Sequence, residues 1–371
     1  MEEKEKKEMQ ETVVIPVEEE KKGHKKRAIL LLLLLLITGF LLTTSTYAWF
    51  TSNTTVSVNN IQVNVATQNG IQLSVDGINW KSILSTTDLQ GAYNTYGAAT
   101  NQLPSTLEPV STAMDLNNDY LKMFYGVVDT NAAGDYILTA TDVSTVLDNH
   151  NTVEGTAGGT TGKFVMFDLF FKLDGTAGTA TNIYMTSSSG IKAEGNDSGI
   201  KNASRVAFIN LGSLTSDKTS TEVQAITGGT DKYLWEPNYD AHTATGVNNA
   251  VQVYKMSADS IKAGTDNTII NYDGINATIS SDENVKLGEA NSSHKTSGNK
   301  FTTVTPAYTT KESFSGADST ETQQIFNLTA GNITKVRVYF WIEGQDVDCE
   351  NGASGGNIVL NLQFTTNQPG A

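Results

Sequence analysis

The chain has 371 residues, with 25 Lys and Arg against 40 Asp and Glu and a formal net charge of −15. The first 27 residues hold eight basic and eight acidic side chains, so the whole imbalance falls on the remainder. An acidic chain of this kind is excluded as a phosphate-contacting nucleic-acid binder, and a single cysteine, Cys349, excludes an intramolecular disulfide.

Residues 1–27 alternate Glu and Lys in blocks and are expected to form a disordered cytoplasmic segment. Lys21, Lys22, Lys25, Lys26 and Arg27 stand just before an apolar run, Ala28 to Leu42, and by the positive-inside rule hold the N-terminus in the cytoplasm. The run is shorter than the roughly 20 residues of a comfortable membrane span and matches the h-region of a signal peptide. Thr46 and Ala48 are the small residues a signal peptidase needs for a cut between Ala48 and Trp49. The long charged segment ahead of the run keeps an uncleaved signal anchor as the other outcome. Residues 28–48 are therefore read as one N-terminal hydrophobic helix, either signal peptide or anchor, that contacts the membrane at least before processing. Gly39-Phe40 does not make a type IV pilin leader, because the apolar run precedes it and no Glu follows.

Beyond Phe50 the chain reads as β structure. Val56, Val58, Ile61, Val63 and Val65 form one apolar face, with a turn or bulge expected at Asn59-Asn60 where the parity changes. Ile71, Leu73 and Val75 alternate again, and Asp76-Gly77 predicts a tight turn into Ile78-Asn79-Trp80. Residues 83–160 are less regular and read as an elaboration of a simpler β fold. Leu121 to Val128 and Tyr136 to Leu138 are expected strands there, and Thr141 to Leu147 a short helix. Phe164 to Leu173 is apolar on both faces, the pattern of a central strand packed on both sides. Asn182 to Met185, Ser204 to Leu211, a short strand ending at Trp235 and Val251 to Tyr254 follow. Residues 213–232 and 260–320 read as polar connections.

The C-terminal block carries the strongest alternation. Val336, Val338, Phe340 and Ile342 lie on one face of a strand, with Arg337, Tyr339 and Trp341 on the other. A loop, Asn351 to Gly356, leads to a strand with Ile358, Leu360, Leu362 and Phe364 on one face. The two strands are expected to pair as a long antiparallel hairpin. No sortase-type Leu-Pro-x-Thr-Gly signal is present, and Cys349 lies too far from the apolar run for a lipoprotein signal. Cys349 is read as a half-buried strand-end residue.

Motifs for chemistry are weak. Gly352-Ala353-Ser354-Gly355-Gly356 matches a nucleophile elbow in letters, but it joins two strands and no His follows. Gly158 to Lys163 lacks the first Gly and the final Ser or Thr of a phosphate loop. His24, His150, His242 and His294 are scattered, so no zincin motif exists. Asp115 to Asp119 has the oxygen spacing that opens a calcium loop, but Tyr120 occupies the Gly position. Glu343, Asp346, Asp348 and Glu350 crowd a strand end. The reading there is a solvated strand end, with calcium on Glu343, Asp346 and Asp348, or an intersubunit contact, as the alternative.

The stretch Thr46-Tyr47-Ala48-Trp49-Phe50-Thr51 is similar to the junction of the camelysin/TasA family, and Gln72-Leu73-Ser74-Val75 fits the strand end that follows in that family. The resemblance covers about residues 30–75. It implies a Firmicute surface protein with a jelly-roll β fold, processed by a dedicated SipW-type signal peptidase and able to build extracellular matrix fibres. Trp49 and the long charged segment depart from the family pattern. The block Tyr339 to Cys349, with Trp235-Glu236-Pro237-Asn238, also resembles uncharacterised secreted Firmicute proteins. No residue set matches a metal-binding motif, so metalloprotease activity is not carried over from the family.

The expectation is an all-β protein: an antiparallel, jelly-roll-like β-sandwich over residues 49–371, with long loops and few short helices. Its expected role is non-enzymatic, as a secreted or anchored Gram-positive surface or matrix subunit. It would polymerise by lending the strand carrying Val56, Val58, Ile61 and Val63 to a neighbouring copy. The competing expectation is a monomeric adhesin or carbohydrate-binding module that uses Tyr233, Trp235 and Tyr239 as an exposed platform.

Overall fold

The computed structural model describes residues 56–66, 70–110, 116–130, 136–143, 161–186, 188–195, 199–235, 325–344 and 355–367. It also describes positions 31, 112, 114, 243, 346, 348 and 349 and four short strands between 273 and 310. The chain divides into two units, Met1–Thr46 and Tyr47–Ala371, and the β structure lies in the second. Of the hydrophobic helix expected over 28–48 only Leu31 is described, in helical conformation, and the Ala48/Trp49 junction, the strand expected over 251–254, Tyr239 and Ser354 lie outside the described residues.

Alternating sequences bury one face of a strand, so two such sheets stack with their apolar faces together. Two sheets do so here. The first contains β1 (Val56–Val65), β3 (Ile83–Ser85), β4 (Thr106–Leu107), β9 (Thr161–Gly162), β11 (Ala180–Met185), β12 (Gly190–Glu194), β19 (Phe326–Thr329) and β21 (Asn357–Thr365). Its order is β19-β11-β21-β1-β4-β9, with β12 also on β21 and β3 also on β1. The second contains β2 (Ile71–Ser74), β10 (Val165–Leu173), β13 (Ser204–Thr215), β14 (Asp231–Trp235), β18 (Thr309–Thr310) and β20 (Asn332–Ile342), in the order β18-β14-β13-β20-β10-β2. Small additions are β5 (Leu116–Asn117) with β6 (Tyr120–Leu121), β7 (Phe124–Thr130) with β8 (Tyr136–Asp142) and β16 (Asn284–Lys286), and β15 (Asp273–Ile275) with β17 (Phe301–Thr303). The protein is thus an all-β sandwich, as its alternation predicts.

The core between the sheets takes Val56, Ile61, Val63 and Val65 from β1 and Leu360, Leu362 and Phe364 from β21. From the second sheet come Phe167 and Phe171 of β10, Phe208 of β13 and Val336, Val338 and Phe340 of β20. In β1 the register shifts between Val58 and Asn60. That bulge moves the inward parity from even to odd numbers, so all the valines and Ile61 reach one core.

The second sheet is also covered on its outer face. Met166 and Phe170 of β10, Ile209 of β13 and Tyr339 and Trp341 of β20 pack there against Ala92, Tyr96, Val110, Leu121 and Met123. The irregular region after residue 83 is therefore a cover layer, which explains why Phe164 to Leu173 is apolar on both faces. The short helix α1 (Thr86–Gln90), closed by a Ser85/Asp88 capping box, instead buries Leu89 in the core between the sheets. α2 (Ser220–Gln224), closed by Thr219/Glu222, falls within the stretch expected to be a polar connection, and its Thr-x-x-Glu spacing is the local signal for it. The Asp76-Gly77 turn is present, with Gly77 at φ +71 and the chain re-pairing at Leu73 and Lys81.

Three expectations are corrected. β20 and β21 do not form a hairpin: β20 lies between β13 and β10 in one sheet, and β21 pairs with β1, β11 and β12 in the other. Both strands need an apolar surface opposite them, and facing each other across the core satisfies both. The helix expected from Thr141 is a strand at Thr141 and Asp142, which pair with Tyr125 and Phe124. Cys349 is fully buried (1% exposed) rather than half-buried.

Candidate functional site

Charged side chains inside an apolar layer are the strongest candidates for a site, because burying a charge is costly unless it is paired. β10 and β20 are antiparallel neighbours with Asp168 directly opposite Arg337. Both residues have the parity that faces the cover layer, as does Lys335. Arg337 donates from Nε to Asp168 Oδ1 at 2.8 Å and from Nη2 to Oδ2 at 3.1 Å, a bidentate pair. Lys335 Nζ lies 3.2 Å from Asp168 Oδ2. All three residues are buried.

The two cations also hold the cover. Lys335 Nζ donates to Tyr96 Oη at 3.0 Å and to the Gln224 carbonyl of α2 at 2.8 Å. Arg337 Nη1 donates to the Asp119 carbonyl at 3.1 Å, and its guanidinium sits 4.3 Å from the Tyr120 ring centre. Tyr339 Oη accepts from Leu121 N at 3.2 Å. Burial pushes the Asp168 carboxyl upward, but Arg337 and Lys335 outweigh burial and hold it below the usual carboxylate range. Arg337 is held protonated by the same pair, and burial pushes the Tyr339 phenol up.

Above this cluster lies a cleft of about 300 Å³, floored by Lys335 and Arg337 and walled by Tyr96, Tyr120, Gln224 and Asp119. The ammonium has three N–H groups and three acceptors, so it is fully used within the chain. The arrangement can clip three cover segments onto the sheet, and the open side of the cleft presents the partly exposed Tyr120 above the buried Tyr96 and the two cations.

The residues singled out from sequence fall elsewhere. Val56, Ile61 and Val63 are core residues of β1, and Val58 is half-buried at its bulge. β1 pairs with β21 on one side and with β3 and β4 on the other, so it has extensive ties within its own sheet. Glu343, Asp346 and Asp348 are buried rather than solvated. Asp346 accepts from Arg205 Nη2 at 2.5 Å, Asp348 from Asn202 Nδ2 at 3.0 Å and from Thr243 N and Oγ1, and Glu343 from Trp341 Nε1 at 3.2 Å. The cation beside Asp346 is Arg205, and the described residues bring together no group of three or more side chains suited to a metal ion. These bonds organise the start of the crossing from the second sheet to the first. Burial, reinforced by the carboxylates of Asp346, Glu343 and Asp348, pushes the Cys349 thiol well up, so it stays a protonated core side chain.

Trp235 is fully buried, so it is not an exposed platform, and Tyr233 is only partly exposed. At the expected calcium opening, β5 and β6 form a hairpin with Asn118 at φ +54, and Asp119 Oδ1 accepts from Gly228 N. Sequence reasoning missed the Asp168–Lys335–Arg337 cluster. Its signal is one acid, Asp168, inside FVMFDLFFKL and two bases, Lys335 and Arg337, at alternate positions of TKVRVYFWI, all within largely apolar runs.

The chain matches no protein-family model, no curated protein and no solved structure. What it is rests on its own fold and site: an all-β sandwich with a charged, tyrosine-walled cleft.

Proposed function

We propose that this is an exported structural protein of a Gram-positive surface or extracellular matrix, non-enzymatic and able to form fibres by exchanging β1. Residues 28–48 carry it to the membrane, and a signal peptidase cut between Ala48 and Trp49 releases the sandwich. Without the cut, the same segment anchors it. The resemblance of the junction to camelysin/TasA proteins supports this reading.

One observation carries the fibre-forming role. Among the described residues β1 is the first strand after the junction, and it is also an interior strand whose side chains complete the core. A sandwich whose first strand has left offers a slot between β21 and β3/β4, and the same strand of another copy fits it with the same bonds.

The test uses Ser57 and Asn357, which are register neighbours in the β1–β21 pair. Adjacent strands hold such pairs within disulfide reach. A Ser57→Cys/Asn357→Cys chain, oxidised while monomeric, should stay monomeric by light scattering at concentrations where the reduced form assembles. Assembly of the locked monomer at the reduced rate, or no assembly in either state, defeats the proposal.

A second reading, a glycan-binding surface module, is favoured by the cleft. Its tyrosines are Tyr96 and Tyr120 instead of the platform expected around Trp235. On that reading Tyr120→Ala loses binding to acidic glycans on an array while the melting temperature moves by less than a few degrees. Absence of any glycan binding by the unaltered protein removes it.

A further inference from the structure

We infer that the sandwich is built to carry tension along its own chain, with the β1–β21 pair as the element that resists it. The inference deepens the structural role proposed above and rests on it only for the source of the load; it concerns the closed chain, in which β1 lies on its own β21, while in a fibre the same ladder would join neighbouring copies. Among the described residues β1 is the first strand of the sandwich and β21 the last, and they are parallel. Their register runs from Ser57↔Asn357 to Val65↔Phe364. The chain therefore enters at one end of this ladder and leaves at the other. Force on the two ends acts along the strands and tries to slide one past the other.

Sliding loads the whole ladder at once. It is bounded by Ser57 N donating to Gly356 O at 2.8 Å and by Ala66 N donating to Phe364 O at 3.0 Å. Had the two strands been antiparallel, both ends would lie together and the bonds would break singly, each in its turn. The parallel pair also resists a slip to a new register. A one-residue slip of β1 turns Val63 and Val65 out of the core, and the same slip of β21 turns out Leu362 and Phe364. A two-residue slip keeps parity, but the bulge between Val58 and Asn60 then no longer meets its partner position. Asn64 Nδ2 adds a cross-strand bond to Asn361 Oδ1 at 3.1 Å. Neither strand is at an edge: β3 and β4 flank β1, and β12 and β11 flank β21. Peeling from the side is therefore blocked as well.

The experiment is single-molecule pulling on the full chain in detergent, with handles on cysteines introduced in pairs. Cys349 is buried and leaves the folded protein free of a competing label. Handles at Thr51→Cys and Pro369→Cys shear the pair. Handles at Thr51→Cys and Asn357→Cys pull on the same end of both strands and unzip it. At one loading rate, the shear geometry should give a peak unfolding force about twofold or more above the unzipping geometry, since forced unfolding reports the barrier of the path taken. Equal peaks, or a lower peak in shear, overturn the inference. The proposed surface location fails by a different result, recovery of the chain from the cytoplasm on fractionation, and that result leaves the force ratio unchanged.

Discussion

Asp168→Asn is expected to be strongly destabilising. It preserves shape but leaves Lys335 and Arg337 side by side without their carboxylate, which is 2.8 Å from Arg337 and 3.2 Å from Lys335 in the folded protein. Removing one partner of a buried ion pair costs about 3–5 kcal/mol, because the remaining charge cannot be rehydrated. Urea denaturation at pH 7 should show the loss as a lower midpoint. Adding Lys335→Met should recover some of it by removing one of the two stranded cations, whereas a single variant as stable as the parent would show that the cluster contributes nothing.

The same pair fixes the sign of a pH dependence. The folded Asp168 carboxyl is held below its ordinary value, by Arg337 and Lys335 acting against burial. Its contribution is therefore complete above the unfolded pKa of about 4 and is lost as pH falls through the lower folded value. The stability gap between parent and Asp168→Asn should narrow below about pH 4. Asp76 acts in a similar range. Burial raises its carboxyl, but hydrogen bonds from Thr95, Asn79, Ser74 and Ile78 outweigh this and bring it to about 2. Asp76 is intact in both proteins, so the difference between them isolates Asp168.

Phe364→Ala is the second large effect. The Phe364 ring is fully buried, with ring centres 5.1 Å from Phe171, 5.9 Å from Phe208 and 6.1 Å from Phe326. These partners come from β10, β13 and β19, so one side chain on β21 ties both sheets together. Emptying such a site costs about 3–5 kcal/mol, the transfer of the ring plus the cavity left behind. Guanidinium denaturation should show a fall of that size for Phe364→Ala and a smaller one for Phe364→Leu, which refills some of the space. Equal losses for both would mean that the ring edges, rather than the volume, carry the energy.

The strands are legible where local pattern decides them. Val56 to Val65 shows its alternation and even its bulge, because Asn59-Asn60 breaks the parity of the valines. Phe164 to Leu173 announces burial on both faces, and the cover layer over the second sheet supplies the second face. The candidate site is only half legible. Asp168 and Arg337 stand out in their runs, yet nothing local says that two residues so distant in sequence lie opposite each other. Trp235 beside Pro237 reads equally well as an exposed turn or a buried strand end, and only the packing around β14 buries it.

The longer strands and their apolar faces are set by the sequence alone, since alternation with period two is a property of each strand, whereas the short strands β3, β4, β9 and β12 and the strand at Thr141 and Asp142 carry no such local pattern. The tertiary structure decided which strand lies beside which. β20 and β21 both carry an apolar face and are joined by a loop, a pattern that suits a hairpin and a pair facing across a core equally well. β1 along one edge of β21 and β11 and β12 along the other settle the choice, since no edge of β21 is left for β20. The β1–β21 pairing places the first and last described strands of the sandwich side by side.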